Sequence, residues 1–185
     1  SSSSAASDVY KRQGVICAMQ RILGIDVGTA IVGWSVLEKS PTHKNGMTLI
    51  DYGVITTEST TPMPKRLDEI FHKLHSVIEY YKPTHSAIES LFYFKNQTTV
   101  MSVSQGRGVI LLVCQQKDLE IAEYTPLQVK QAVTGYGRAE KKQVQQMVRA
   151  ILGLKEIPKP DDAADAIAIA ICHAQTMGNR LKAVT

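Results

Sequence analysis

The sequence is poor in cysteine and has no long apolar run. Cys17, Cys114 and Cys172 are odd in number and far apart, so they predict no disulfide framework. The longest apolar run, AADAIAIAIC, is too short to span a bilayer and contains an aspartate. The segment GVICAM is also too short for the apolar region of a signal peptide. We therefore expect a protein of the reducing cytoplasm that does not associate with a membrane.

Length and composition predict one globular domain. The chain has 185 residues, of which 44% are hydrophobic and 21% charged, which suffices for a full hydrophobic core. The net charge of +4 permits an anionic partner without requiring one, and basic residues cluster between Lys130 and Arg149. The serine-rich start, SSSSAASDVYKRQ, has no apolar periodicity. We expect residues 1–18 to be a disordered or extraneous leader and residues 19–185 to form the folded domain.

Hydrophobic periodicity predicts an α/β domain with a mixed five-stranded sheet flanked by helices. Short connections favour an antiparallel meander for the first three strands, and crossovers join the later ones. Asn96 is a candidate N-cap, and Gly106 and Gly108 inside the following helix predict close approach of another backbone. The predicted strands cover 21–27, 31–38, 47–57, 85–90 and 119–125, and the predicted helices cover 63–81, 97–117, 126–134, 140–152 and 161–176.

Four carboxylates are placed where their side chains can meet. Asp26 follows ILGI at the end of the first strand, and Glu89 follows SAI at the end of the fourth. If these strands are parallel neighbours, their carboxyl ends meet at the edge where open α/β sheets bind ligands. Asp162 and Asp165 are three residues apart near the start of the last helix and share one face. That helix, packed on the sheet, would bring both carboxylates to the same edge.

Each of these acids also has a structural interpretation. Asp161 is a candidate N-cap, Asp162 can serve the helix dipole, and Glu89 can be a solvated strand end. Asp165 lies among alanines, where an unpaired charge is costly. Four acids at one buried edge would repel each other unless divalent cations neutralised them, and oxygen ligands suit Mg²⁺ or Mn²⁺. Two such ions about 4 Å apart support attack of water on a phosphodiester.

The turn after Asp26 also permits a second interpretation, a cradle for ATP phosphates. An actin-like or sugar-kinase-like ATPase needs a second lobe with another glycine-rich phosphate turn. The sequence has neither the length nor the motif for that lobe. The sequence therefore favours Asp26 as a metal ligand.

Five stretches, ILGIDVGT, AIESLFYFKN, QGRG, VKQAVTGYGRAEKKQV and DDAADAIAIAICHA, occur in the order found in one known family. Over residues 21–176 the sequence resembles the RuvC family of Holliday junction resolvases, nucleases with a ribonuclease H-like fold. The resemblance implies that Asp26, Glu89, Asp162 and Asp165 are the catalytic, metal-binding tetrad of a RuvC-like nuclease domain. The family's first motif usually has proline where Val27 stands, a difference that leaves the metal ligand in place.

The resemblance also assigns residues that bind DNA. Lys130 and Lys141 match lysines that contact the scissile strand or support its charge, although each would otherwise be assigned to a solvated helix face. Phe92 matches an aromatic residue that stacks on bases at the junction centre, whereas without the resemblance it would be assigned to the core. Tyr93 and Phe94 are alternatives for this role.

A possible metal pair is less well supported. His72 and His75 have the spacing of two ligands, but they point away from the apolar stripe of their helix. We therefore expect both to be solvent-exposed.

The resemblance thus implies a structure-selective endonuclease that resolves four-way DNA junctions by metal-dependent paired symmetric nicks during recombination and repair. The carboxylate ligands indicate two Mg²⁺ per subunit, with Mn²⁺ as the alternative. The resemblance implies a RuvA–RuvB branch-migration complex as partner. Because a junction has two-fold symmetry, we expect a homodimer, with the helix at 97–117, including Gly106 and Gly108, as the candidate dimer surface. The alternatives are a ribonuclease H-type RNA–DNA hybrid nuclease and a non-catalytic junction-binding module.

Overall fold

The computed structural model describes residues 20–41, 45–90 and 97–182, with side chains described over the same ranges except 97–99 and 178–182. The predicted leader, Asn96, and the aromatic residues Phe92, Tyr93 and Phe94 lie outside the described residues. The strands are β1 (Gln20–Asp26), β2 (Ile31–Lys39), β3 (Met47–Thr56), β4 (His85–Glu89) and β5 (Glu120–Tyr124). The helices are α1 (Met63–Tyr81), α2 (Gln97–Gln116), α3 (Pro126–Thr134), α4 (Lys141–Leu152) and α5 (Asp161–Lys182).

The five strands form one mixed sheet in the order β3-β2-β1-β4-β5. The pairs β1–β2 and β2–β3 are antiparallel, whereas β1–β4 and β4–β5 are parallel. The predicted sheet, including the parallel pairing of the first and fourth strands, is therefore confirmed. This topology brings the carboxyl ends of β1 and β4 to the same edge.

Successive side chains of each strand point to opposite faces of the sheet, so apolar residues form a core on each face. Leu23 and Ile25 of β1 pack with Ile70 and Leu74 of α1 and with Ile110 of α2. Ile22 of β1 faces the other way, into the core formed with α3, α4 and α5. The domain therefore has three layers, with α1 and α2 on one face and α3 to α5 on the other.

Local signals set the helix ends close to the predicted bounds. Thr125 accepts a hydrogen bond from the amide of Gln128 and closes a capping box at the start of α3. Gly153 adopts a left-handed backbone conformation directly after α4, which is typical of a glycine that caps the C-terminus of a helix. The last helix is longer than predicted and continues to Lys182. Within the described parts of the chain, no helix combines the length and apolar character needed to cross a membrane.

Candidate active site

Asp26 and Glu89 end neighbouring parallel strands and point to the same side of the sheet. Ile25 pairs with Ile88 in the β1–β4 register, and both isoleucines are buried in the core beneath α1 and α2. Because side chains alternate along a strand, the next residue on each strand faces α5. The structure therefore places both carboxylates on the face covered by the helix that carries Asp162 and Asp165.

Two glycines let α5 lie directly on the sheet. A β-carbon on Gly24 of β1 would overlap the backbone carbonyl of Ala166, and one on Gly33 of β2 would overlap the carbonyl of Asp162. The hydroxyl of Ser35 donates a hydrogen bond to the carbonyl of Ala166, with an O–O distance of 3.0 Å. These backbone contacts place the first turns of α5, and hence its carboxylates, beside the end of β1. Nothing in the sequence pattern singles out this pair of glycines, because their contacts are with a distant part of the chain.

The turn after Asp26 is anchored from the other side by α1 and by the end of β3. The Thr57 hydroxyl donates to the carbonyl of Thr29 at 2.5 Å, and Arg66 Nε donates to Thr57 Oγ1 at 2.8 Å. Both Thr57 and Arg66 are buried. This network fixes the backbone that follows Asp26, and the sequence analysis missed it because its members are far apart along the chain.

Burial and neighbouring negative charges raise the pKa of Asp26, Glu89 and Asp165. The pKa of Asp26 is raised from 3.8 to about 7, first by burial and then by the charges of Asp165, Glu89 and Asp162, while Lys141 opposes the shift. Burial, followed by repulsion from Asp165, raises the pKa of Glu89. Burial also raises the pKa of Asp165, although its hydrogen bond to Lys141 acts in the opposite direction. The four acids predicted as a group are therefore one electrostatic cluster.

Two lysines lie beside this cluster. Lys141 Nζ is 3.0 Å from Asp165 Oδ2 and 3.4 Å from Asp161 Oδ2. Although desolvation by burial acts to lower the pKa of Lys141, the hydrogen bonds and charges of the two aspartates outweigh it and raise that pKa. The charge of Lys130 attracts Glu89 and partly offsets the rise in the pKa of its carboxyl. Both lysines line a cavity of about 210 Å³ with Glu89 and Asp165.

The donor set suits a hard divalent cation. The carboxylates of Asp26, Glu89, Asp162 and Asp165 supply oxygen atoms only, which favours Mg²⁺ or Mn²⁺ over zinc. Mutual repulsion of half-buried carboxylates is the electrostatic condition that a bound cation relieves. Over residues 20–41, 45–90 and 97–182, no three His, Cys, Asp or Glu side chains are already arranged as a metal-binding group. Cation binding would therefore require these side chains to turn toward one another.

Several predictions for individual residues need correction. Asp161 is not the N-cap, because the carbonyl of Pro160 accepts the first hydrogen bonds of α5, from Ala163 and Ala164. The side chain of Asp161 instead accepts a hydrogen bond from Gln145 Nε2 at 3.0 Å.

The predicted exposure of the two histidines is half right. His72 is exposed and lies 3.3 Å from Asp68. His75 is only partly exposed, because its ring stacks on Phe71.

Gly106 approaches another backbone as predicted, but that backbone belongs to its own chain. A β-carbon on Gly106 would lie 3.1 Å from the carbonyl oxygen of Gly28 in the turn after Asp26. Gly106 is buried, whereas Gly108 is exposed with no heavy atom near its β-position. Gly106 therefore cannot be part of a dimer surface, but Gly108 still can.

Comparisons with known proteins agree with this geometry. The family model described as "Crossover junction endodeoxyribonuclease RuvC" matches residues 22–173. The protein of that name from Desulfitobacterium hafniense (strain DSM 10664 / DCB-2) is 56% identical over 156 residues, which are 84% of this chain and 93% of that protein. The one from Fusobacterium nucleatum subsp. nucleatum is 52% identical over 161 residues, 87% of this chain and 83% of that protein. A solved structure, T. thermophilus RuvC in complex with Holliday junction substrate, has a TM-score of 0.79 and 33% sequence identity, covering 86% of this chain and 96% of that chain.

Proposed function

Because the chain belongs to the RuvC family of crossover junction endodeoxyribonucleases, we infer that it is an endonuclease that resolves Holliday junctions in DNA recombination and repair. Its fold is the ribonuclease H-like fold of that family. One observation in this chain supports the activity best. Asp26 and Glu89 end adjacent parallel strands on the face covered by α5, and Asp165 of that helix raises the pKa of both carboxyls.

The proposed catalytic residues are Asp26, Glu89, Asp162 and Asp165, which would hold two Mg²⁺ per subunit, with Mn²⁺ as the alternative. When bound, such ions supply an activated water and stabilise the charge that develops at the phosphate. The four carboxylates provide the negative charge that attracts the cations, and the desolvated position of Asp26 strengthens that attraction. The side chains proposed as ligands are therefore carboxylates whose negative charges lie close together.

Lys130 and Lys141 are proposed to bind the scissile strand. Lys141 Nζ, 3.0 Å from Asp165 Oδ2, holds that carboxylate in place and adds a positive charge where the phosphate enters. Lys130 lies beside Glu89 in the same cavity. Charges preorganised in this way stabilise a transition state without reorganising during the reaction.

The aromatic segment after Glu89 is proposed to recognise the junction centre. Phe92 is the residue expected to stack on bases, and Tyr93 and Phe94 are the alternatives. All three lie outside the described residues. The proposal is based on their position in the sequence, three to five residues beyond the proposed metal ligand Glu89.

A homodimer would match the two-fold symmetry of a junction and supply one active site for each of two strands. The proposed dimer surface is the face of α2 formed by Met101, Gly108 and Leu112. Met101 is 69% exposed and Leu112 is 51% exposed, and large apolar side chains at that exposure favour an interface. A RuvA–RuvB branch-migration complex is the proposed partner, on the basis of family membership.

The proposed function is tested by cleavage of a mobile synthetic four-way junction in Mg²⁺, with nicks mapped on all four strands. We expect paired nicks in two strands of like polarity. An RNA–DNA hybrid duplex, a linear DNA duplex and EDTA provide the controls. Cleavage of the hybrid without the junction would indicate a ribonuclease H-type enzyme, and binding without nicking would indicate a junction-binding module.

A further inference from the structure

The QGRG segment of α2 has a residue whose role the proposed function does not explain. Arg107 is nearly buried, with 13% of its side chain exposed. Its NH1 donates a hydrogen bond to the backbone carbonyl of Glu89 at 3.0 Å, and its NH2 lies 2.6 Å from Glu123 Oε2. One guanidinium therefore joins α2 to the ends of β4 and β5.

The contact of Arg107 with Glu89 fixes the peptide bond that follows this proposed metal ligand. Arg107 binds the carbonyl of the Glu89–Ser90 peptide, and the amide of Ser90 donates to the carbonyl of Tyr124 at 2.8 Å. Both polar groups of this peptide are thus held. Glu89 is the last residue of β4, so these two bonds hold the backbone at the point where the strand ends.

The neighbouring residue of the same segment contacts the other strand end. Gly106 packs against the turn after Asp26, where a β-carbon would be 3.1 Å from Gly28 O and 3.1 Å from Thr29 Cγ2. Two consecutive residues of α2 therefore contact the two proposed ligand segments. Gly106 lies against the turn after Asp26, and Arg107 binds the carbonyl of Glu89. The helix can keep the spacing of those ligands constant.

We propose that Arg107 is a positioning residue, which holds the backbone at Glu89 so that the carboxylates of Glu89 and Asp26 share divalent cations. This inference rests on the proposed function of the tetrad. Arg107 does not itself touch the cations or the phosphate in this scheme. Groups that orient metal ligands typically change metal affinity or activity by about 10–100-fold when they are removed.

Two other residues of the chain provide matched controls. Arg21 makes the same kind of double contact at the opposite end of the sheet, with its Nε 3.0 Å from Glu38 Oε2 and its NH1 donating to the carbonyl of Tyr81 at 2.8 Å. Glu123→Gln removes the charged partner of Arg107 but leaves its hydrogen bond to Glu89. Arg21→Gln and Glu123→Gln therefore remove a comparable ion pair without releasing Glu89.

The test measures Mg²⁺ binding without DNA, as the rise in the melting temperature of the full chain during a Mg²⁺ titration. Arg107→Gln should shift the midpoint of this titration to Mg²⁺ concentrations about 10–100-fold higher. Arg107→Lys should fall between wild type and Arg107→Gln, because an ammonium reaches one acceptor but lacks the fork that binds two. If Arg107→Gln does not fold, the titration midpoint of Arg107→Lys alone tests the proposal. Both control variants should have a lower melting temperature than wild type, but the midpoint of their Mg²⁺ titration should be unchanged.

Junction nicking provides the second measurement. The Mg²⁺ concentration for half-maximal nicking should rise in step with the titration midpoint, while junction affinity in EDTA stays within about twofold of wild type. An Arg107 variant that melts earlier but keeps the wild-type midpoint, as the controls do, would overturn the positioning role. If wild type binds Mg²⁺ but does not nick the junction, the proposed function fails, and the titration still decides the role of Arg107.

Discussion

The backbone carbonyl of Asp162 lies directly against Gly33, in space that a β-carbon on Gly33 would occupy. Gly33 is also the residue that pairs with Asp26 across β1 and β2. Together with Gly24, this glycine therefore allows the helix that carries Asp162 and Asp165 to approach the strand that carries Asp26. Assembly of the acidic cluster depends on this absence of a side chain.

Gly33→Ala should destabilise the domain and reduce nicking. The new methyl group meets backbone rather than a flexible side chain, so we expect a loss of about 1–3 kcal/mol in the free energy of unfolding. At temperatures where the variant is folded, nicking should still be slower than in wild type, because α5 is displaced from Asp26. Chemical denaturation and the junction assay measure both effects. Ile31→Ala, at a partly exposed position on the same strand, should retain nicking, and wild-type stability of Gly33→Ala would contradict the close packing.

The sequence predicted the parts of the site that depend on local periodicity. Asp26 and Glu89 were assigned to one edge because strand alternation and the parallel pairing of the first and fourth strands determine where strand-end side chains go. Asp162 and Asp165 followed from helical spacing. These are properties of a few consecutive residues. Apart from the longer α5, the strands and helices of the structure begin and end within a few residues of the predicted bounds.

Contacts between distant parts of the chain were not predictable in the same way. A glycine in a strand signals close approach of something, but the sequence does not say that the partner of Gly33 is the backbone of Asp162. The same applies to Gly106, which was assigned to a dimer surface and instead contacts the turn after Asp26. Arg107 was noted only as part of a motif, because its acceptor at Glu89 depends on how α2 crosses the sheet.

Conservative changes in the tetrad should abolish cleavage and spare binding. Asp26→Asn, Glu89→Gln and Asp165→Asn keep the side-chain shape but remove the charge that would hold the cations. Nicking should fall below detection, while gel-shift affinity for the junction stays close to wild type, because phosphate contacts by basic residues dominate that affinity. Asp68→Asn, which changes an exposed aspartate paired with His72 on α1, is the matched control. Near-normal nicking by Asp165→Asn would remove that residue from the site.

Leu112→Glu should dissociate the proposed homodimer. Leu112 is 51% exposed on the face of α2 that also carries Met101 and Gly108, and a buried unpaired carboxylate at an interface is strongly unfavourable. Sedimentation should give a dimer for wild type and a monomer for the variant. In the junction assay the variant should make fewer paired nicks relative to single nicks than wild type does. Leu127→Glu changes a leucine of similar exposure, 59%, on α3 and should stay dimeric. A dimeric Leu112→Glu variant would place the interface elsewhere.

Phe92→Ala should separate two roles for this aromatic residue. If Phe92 stacks on bases, its loss removes about 1–3 kcal/mol of interaction with the junction. The variant should then melt like wild type and nick junctions whose central bases are already unpaired, while failing on fully paired ones. If Phe92 belongs to the core, truncation should cost about 3–5 kcal/mol of stability and slow both reactions together. A thermal melt beside the two cleavage assays distinguishes these outcomes.

The raised pKa of Asp26 predicts how stability depends on pH in the absence of divalent cations. The carboxyl titrates at about 7 in the folded chain, compared with a reference value of 3.8. Between these values the folded state binds more protons than the unfolded state, so this group makes stability fall as pH rises from about 4 to 7. Asp26→Asn removes that term, since the amide does not ionise. In EDTA at pH 8 we therefore expect the variant to melt at a higher temperature than wild type, with a smaller difference at pH 5.

With added Mg²⁺ at pH 8, wild type should instead melt at a higher temperature than Asp26→Asn. Wild type has all four carboxylates to bind and be stabilised by the cation, whereas the variant lacks one of them. Melting curves at both pH values, with EDTA and with Mg²⁺, measure the effect. Glu58→Gln, which changes an exposed carboxylate on the loop after β3, controls for the loss of one negative charge and should follow wild type in all four conditions. Parallel pH profiles for wild type and Asp26→Asn in EDTA would mean that Asp26 is ionised normally, and the repulsion that makes this edge a cation site would then be absent.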